Sequence, residues 1–95
     1  MGADVQTTIE DVVRKRLSDA MIDDVIVWED VDHYGDDILR VRVIFDSRKS
    51  RLDPQKTLGM VRLVREALAE IGEERFPIFY YVSRAEAKGL TPAAE

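Results

Sequence analysis

Acidic side chains cluster around the only histidine of this sequence, between two hydrophobic segments. Carboxylates gathered at a turn can supply the oxygen ligands that hard cations such as Ca²⁺ prefer. The spacing does not match a calcium-binding loop, which needs alternating ligands, a central glycine and a late glutamate. A solvated hairpin tip therefore explains the cluster better than a metal site. The residues concerned are Glu29, Asp30, Asp32, His33, Asp36 and Asp37.

The chain carries no recognisable catalytic motif. Nucleophile elbows, glycine-rich phosphate loops and helix-borne histidine pairs are missing from the sequence. The absence of cysteine excludes disulfides, thiolate catalysis and sulfur-ligated metals. His33 would have to perform acid–base chemistry almost alone. We predict a nonenzymatic protein with no catalytic residues, no metal site and no cofactor, and we rank an enzyme that acts through acidic residues well below this.

Basic residues are concentrated in one segment of an otherwise acidic protein. The net charge is −5, yet residues 38–65 carry eight basic and two acidic side chains, a balance of +6. Cations near the start of a helix can bind phosphate or a carboxylate-rich surface, although charged loops are usually only solvated. The candidate anion- or nucleic-acid-binding residues are Arg40, Arg42, Arg48, Lys49, Arg51, Lys56, Arg62 and Arg65.

Length and composition predict one small globular domain. The 95 residues are 45% hydrophobic and 35% charged, which suits a single core with a wet surface. We expect the domain to span residues 1–95, with an ordered core over about 7–89 and a tail at 90–95. The longest apolar segment, residues 76–82, is too short to cross a bilayer, and no signal peptide is visible at the start. These features predict a soluble cytoplasmic protein without membrane contact.

Hydrophobic periodicity predicts two helices. Thr7 and Glu10 have the spacing of a capping box and precede apolar residues at helical intervals, which predicts a helix over about 8–21. A second helix is expected over about 54–71, after an Asp-Pro start. Gly59 inside it allows close packing or a slight kink, and Gly72 after it is a candidate left-handed cap.

Three segments rich in β-branched and aromatic residues predict strands, at about 25–28, 38–45 and 76–82. The first two flank a turn-rich loop and indicate an antiparallel hairpin. We prefer the register that pairs Asp32 with Asp37, because it sets opposite charges across from each other.

The predicted fold class is α+β, an α-β-β-α-β two-layer sandwich with two helices on one face of a three-stranded mixed sheet. The second helix is long enough for a right-handed crossover to a parallel third strand, and Pro77 indicates a sheet edge. Ser83 and Glu86 repeat the capping-box spacing and suggest a short C-terminal helical turn. This order of elements is similar to that of RNA-associated folds of the KH-like class. The Gly-x-x-Gly loop of KH domains is absent, so we assign no family.

Two helices can cover only one face of such a sheet, yet the strands carry apolar residues on both. In the preferred register the helix side receives Ile26, Trp28, Leu39, Val41, Val43 and Phe45. The opposite face is a predicted oligomer interface, unless the stems of arginine and tyrosine side chains shield it. Its residues are Val25, Val27, Val31, Ile38 and Ile44.

These features favour a nonenzymatic interaction or assembly module that self-associates, most simply as a homodimer. Another protein partner also fits an apolar sheet face. The alternative function is an RNA- or ribosome-associated domain that binds through the basic segment 40–65.

Overall fold

The structure, a computed structural model, describes residues 3–48 and 52–88. A three-stranded sheet with strand order β1-β2-β3 packs against helices, which confirms the predicted α+β class. β1 and β2 are antiparallel, and β3 is parallel to β2. In the described part of the chain no helix is both long and apolar enough to span a membrane. The elements are α1 (Ala3–Arg16), β1 (Ile22–Val31), β2 (Asp37–Phe45), α2 (Pro54–Leu58), α3 (Met60–Glu70), β3 (Phe76–Ser83) and α4 (Arg84–Lys88).

The hydrophobic core lies between one face of the sheet and the apolar stripes of α1 and α3. Each stripe repeats every fourth residue, so its members lie on one side of the helix. Burial of these side chains is the main favourable contribution to folding. The buried core residues are Ile9 and Val13 from α1, Leu17 directly after it, Met60, Val64 and Leu68 from α3, and Val25, Leu39, Val41 and Val43 from the sheet.

Helix α1 begins and ends about five residues earlier than predicted. Its apolar stripe continues back through Val5, which packs against the core, so Thr7 lies inside the helix and the capping box predicted there is wrong. Glu10 instead forms an ion pair of 3.0 Å with Arg14, one turn further on. At the other end the chain turns after Leu17, and Met21 is left 49% exposed.

The second predicted helix is interrupted at Gly59, which separates α2 from α3. Asp53 caps α2 as expected, because its Oδ1 accepts the N–H of Gln55 at 2.9 Å. Arg16 donates its Nε to the carbonyl of Lys56 at 3.1 Å, so it binds backbone oxygen next to the interruption. A Cβ at Gly59 would lie 3.3 Å from the same guanidinium. Glycine therefore permits the close approach of α1 to the break.

Two predicted helix-end signals are confirmed. Gly72 follows α3 with a φ of +80°, and its N–H donates to the carbonyl of Ala69 at 3.1 Å. At the start of α4 the N–H of Ser83 donates to the Glu86 carboxylate at 2.9 Å, and Ser83 Oγ accepts the N–H of Glu86 at 3.1 Å. The two hydrogen bonds between Ser83 and Glu86 are the reciprocal pair of a capping box.

The hairpin between β1 and β2 closes one residue earlier than predicted. The N–H of Asp32 donates to the carbonyl of Asp36 at 2.9 Å, so Asp32 pairs with Asp36 and not with Asp37. The Asp32 carboxylate also accepts two backbone N–H groups of the loop. Gly35 has a φ of +90°, which a three-residue hairpin loop requires at this position. The preferred register was therefore wrong by one position along the strands.

Arg75 ties the connection after α3 to the far strand of the sheet. Its Nε and Nη2 donate to both carboxylate oxygens of Glu73, at 2.8 and 2.9 Å. Its Nη1 lies 3.3 Å from the Glu29 carboxylate on β1. The hydrogen bonds from Arg75 lower the pKa of Glu73 from 4.5 to about 2, against the opposing effect of desolvation.

We expect Gly35→Ala to lower the free energy of unfolding by about 1 kcal/mol, because a side chain at positive φ is strained. Urea unfolding at pH 7 measures the change. Gly35→Asn is the matched control and should cost less, because asparagine tolerates the left-handed region. Equal losses for the two variants would contradict the role assigned to backbone conformation.

Glu73 should make the folded state sensitive to acid. Its pKa is lower in the folded chain, so its stabilising contribution is complete above about pH 4.5 and is lost as the pH falls toward 2. Urea unfolding between pH 2 and pH 6 should show a steeper loss for the wild type than for Glu73→Gln. Parallel curves for the two proteins would show that Arg75 does not hold this carboxylate.

Candidate interaction surface on the open sheet face

One face of the sheet turns away from α1 and α3, and we call it the open face. Residues paired across neighbouring strands share a face, and their side chains alternate along each strand. None of the open-face residues belongs to the core cluster between the sheet and the helices. The open face consists of Asp24, Ile26, Trp28 and Asp30 on β1, Ile38, Arg40, Arg42 and Ile44 on β2, and Phe76, Ile78, Tyr80 and Val82 on β3.

The one-residue change of register divides the predicted oligomer interface between the two faces. Ile38 and Ile44 lie on the open face, as predicted. Val25 and Val27 lie on the helix side, where Val25 is part of the core and Val27 packs against it. Val31 shares their side of β1 but lies at the strand end and is 52% exposed. Assigning these three valines to the open face was wrong, because a slip of one position exchanges the faces.

Ile26 and Trp28 occupy the open face in their place, although the sequence analysis put them on the helix side. Trp28 is half-buried, and Tyr80 is 37% exposed. Their rings are 6.4 Å apart between centroids and nearly parallel, at 15°. Two aromatic side chains from the outer strands thus lie on either side of the central strand β2.

Arginine side chains of β2 lie over these rings. The Arg42 guanidinium is 5.1 Å from the centre of the Trp28 ring, and the Arg40 guanidinium is 5.8 Å from that of Tyr80. Both distances fall within the range of cation–π attraction. Arg40 also donates to the Tyr80 hydroxyl and to the Asp30 carboxylate. The stems of Arg40 and Arg42 therefore shield part of the face, as the alternative explanation expected.

The charges of the open face are nearly balanced. The hydrogen bond from Arg40 holds the pKa of Asp30 below its ordinary value. Arg42 has no carboxylate partner among the described residues, and Asp24 is exposed at the end of the same face. The surface thus combines aliphatic and aromatic area with acidic and basic groups.

The candidate anion-binding residues of the basic segment are distributed over two layers. Arg40 and Arg42 lie on the open face, whereas the other described members follow β2 or belong to the helices. Three members form ion pairs with nearby carboxylates. Arg48 lies 3.6 Å from Asp46, and on the helices Lys56 lies 3.0 Å from Asp19 and Arg62 lies 4.0 Å from Glu66. Arg65 lies over the Phe76 ring at 5.2 Å. Lys49 and Arg51 lie outside the described residues. The described members do not form a continuous positive surface.

The acidic hairpin tip is organised by its own backbone. Asp32 accepts loop N–H groups, and the ring of His33 lies 4.1 Å from that of Tyr34. Across residues 3–48 and 52–88, no group of three or more histidines or carboxylates is arranged to hold a metal ion. The tip therefore supplies charge and turn geometry.

An ion network that was not predicted from the sequence lies at the ends of the parallel strands. Asp46 follows β2 and Arg84 follows β3, so these side chains meet at one end of the sheet. Asp46 is 1% exposed, and its Oδ2 lies 3.3 Å from Nη1 of Arg84. Arg84 also donates twice to the Asp23 carboxylate, at 2.5 and 2.7 Å. A charged residue directly after each of two parallel strands was the signal that could have revealed it.

Asp46 remains acidic despite its burial. Desolvation raises its pKa, but the N–H of Arg48, at 3.0 Å, and the guanidinium groups of Arg84 and Arg48 together lower it below the ordinary value. A cleft of about 290 Å³ opens beside the network and is also lined by Ser47 and Ala85. Because these acids and bases already neutralise one another, the network acts as a tie between strand ends.

Comparison with known proteins does not assign the chain to a group. None of the known protein families, curated proteins or solved structures matches it.

Asp46→Ala should destabilise the fold more than Asp46→Asn. Alanine leaves the Arg48 N–H without its acceptor and removes the negative charge 3.3 Å from Arg84, whereas asparagine keeps an oxygen in place for the N–H. The midpoint of urea unfolding at pH 7 should fall in the order wild type, Asn variant, Ala variant. An alanine variant as stable as the wild type would contradict the role of this network.

Proposed function

We propose that this chain is a nonenzymatic interaction module that self-associates through the open face. The observation that carries the proposal is a sheet face rich in apolar side chains that lies on the side away from α1 and α3. Its aliphatic members are Ile26, Ile38, Ile44, Ile78 and Val82, and Trp28 and Tyr80 lie among them.

Burial of the open face on association would contribute favourable free energy. Ile38 is only 3% exposed, but the other aliphatic residues of the open face are half-buried and keep some exposed surface. Covering a few hundred Å² of such surface per copy, at about 25 cal/mol per Å², supplies several kcal/mol before the entropic cost of association. A dissociation constant of 1 μM needs about 8 kcal/mol of net free energy, so burial on both copies has to contribute.

The charges on the open face favour a second copy as the occupant. Asp24 and Asp30 lie on β1, and Arg40 and Arg42 lie on β2, so the face presents both signs side by side. In a two-fold contact each copy offers the same patch, and a surface with both signs can be complementary to itself. Arg42 is the group that gains an acidic partner in such a contact.

We expect Ile44→Glu to lower the mass of the assembly, because it buries a carboxylate in the open-face contact. Light scattering over a concentration series measures the mass. Trp28, the only tryptophan, lies on the open face, so its emission should move to shorter wavelength as the wild type associates. The variant should lack this shift and retain its helical circular dichroism.

Val31→Glu is the matched control, since Val31 is exposed on the helix side of the sheet and lies outside the open face. It should associate like the wild type. A wild-type protein that stays monomeric at high micromolar concentration would overturn the proposal. So would equal effects of the Ile44 and Val31 variants.

Binding of single-stranded RNA is the second candidate function. Aromatic rings beside arginines on a sheet face, as with Trp28 and Arg42, are a surface on which unpaired bases stack. The acidic net charge and the Asp30–Arg40 pair weaken this candidate. Salt separates the two functions, because phosphate contacts weaken steeply as salt rises whereas apolar burial does not. Retention of RNA at low salt that is lost in Arg42→Gln would favour the RNA function.

A further inference from the structure

The outer edge of β3 differs from the outer edge of β1. β3 is an edge strand, and no strand of the described chain pairs with its outer side. Its eight residues, Phe76–Ser83, include no charged side chain. Unpaired backbone N–H and C=O groups on such an edge are a template for another strand.

β1 carries the features that normally protect an edge. Its register shifts next to Asp23, which is the extra residue of a bulge. Four of its residues are acidic, namely Asp23, Asp24, Glu29 and Asp30. Bulges and charges obstruct the addition of a strand. β3 has neither, and its one proline, Pro77, lies near its start.

The side chains of β3 restrict which strand can pair with it. Ile78 and Tyr80 face the open side, whereas Phe79 and Tyr81 pack toward the core. An added strand places alternate side chains on the two faces, so it must be apolar on both. β3 of a second copy satisfies this condition.

Charge favours the same occupant. The net charge is −5, and the four acidic residues of β1 lie on the edge of the sheet opposite β3. Pairing through β3 therefore keeps the acidic edges of two copies far apart, whereas pairing through β1 would bring them together.

We propose that two copies pair through β3 in antiparallel orientation, so that one sheet runs through both. A two-fold axis perpendicular to the sheet keeps both open faces on the same side, and one residue between Ile78 and Tyr81 then pairs with itself. This contact between two β3 edges is separate from the contact through the open face and does not depend on that contact.

Single-cysteine crosslinking tests the edge contact, since the chain contains no cysteine. Ile78→Cys, Phe79→Cys, Tyr80→Cys and Tyr81→Cys are oxidised separately. Antiparallel partners lie about 4.5–5.5 Å apart between Cα atoms, within the range of a disulfide. Sheets packed face to face lie about 10 Å apart, which is beyond that range. One position should crosslink at least about tenfold faster than the exposed control Val31→Cys.

The result should persist when Ile44→Glu is added, because that change affects only the open face. Crosslinking no faster than that of Val31→Cys at all four positions would overturn the edge contact and leave self-association through the open face to its own test. Amide hydrogen exchange of the wild type avoids any dependence on variants that fold poorly. Amides of β3 that exchange freely in dilute solution should become protected as concentration rises, and unchanged exchange would also overturn the proposal.

Discussion

The three-residue loop of the hairpin sets the chemical character of both faces of the sheet. Asp32 pairs with Asp36, and Gly35 adopts a positive φ that other residues adopt with strain. Side chains on a strand alternate with a period of two, so loop closure at any neighbouring position would exchange the faces of β1. The position of one glycine thus decides that Val25 enters the core and that Trp28 faces outward.

The rest of the sheet follows from that register. With Val25 and Val27 turned inward, α1 and α3 cover an uninterrupted apolar surface. The residues of β1 that face outward include Trp28, and the Arg42 guanidinium lies over the Trp28 ring. Cation–π contacts let arginine stay on a sheet face that is otherwise apolar. The open face therefore combines apolar side chains with charged groups of both signs.

The two edges of the sheet also differ from each other. Acidic residues and a bulge occupy β1, while β3 is uncharged along its whole length. The tie between Arg84 and the carboxylates of Asp23 and Asp46 holds the ends of the strands together. Such asymmetry gives the domain one protected edge and one edge suited to pairing, with the open face between them.

Local sequence alone determined the order of the elements, the caps at Asp53 and Gly72 and the parallel crossover, because these depend on periodicity and on short-range hydrogen bonds. Charge pairing across the hairpin favoured the wrong register, since exposed ion pairs contribute little beside burial of Val25 and Val27. The position at which α1 starts depends on a tertiary contact, because Val5 packs against the core. Only the tertiary structure separated the basic segment into two layers and joined Asp46 to Arg84, because contacts between residues far apart in sequence arise when the strands align.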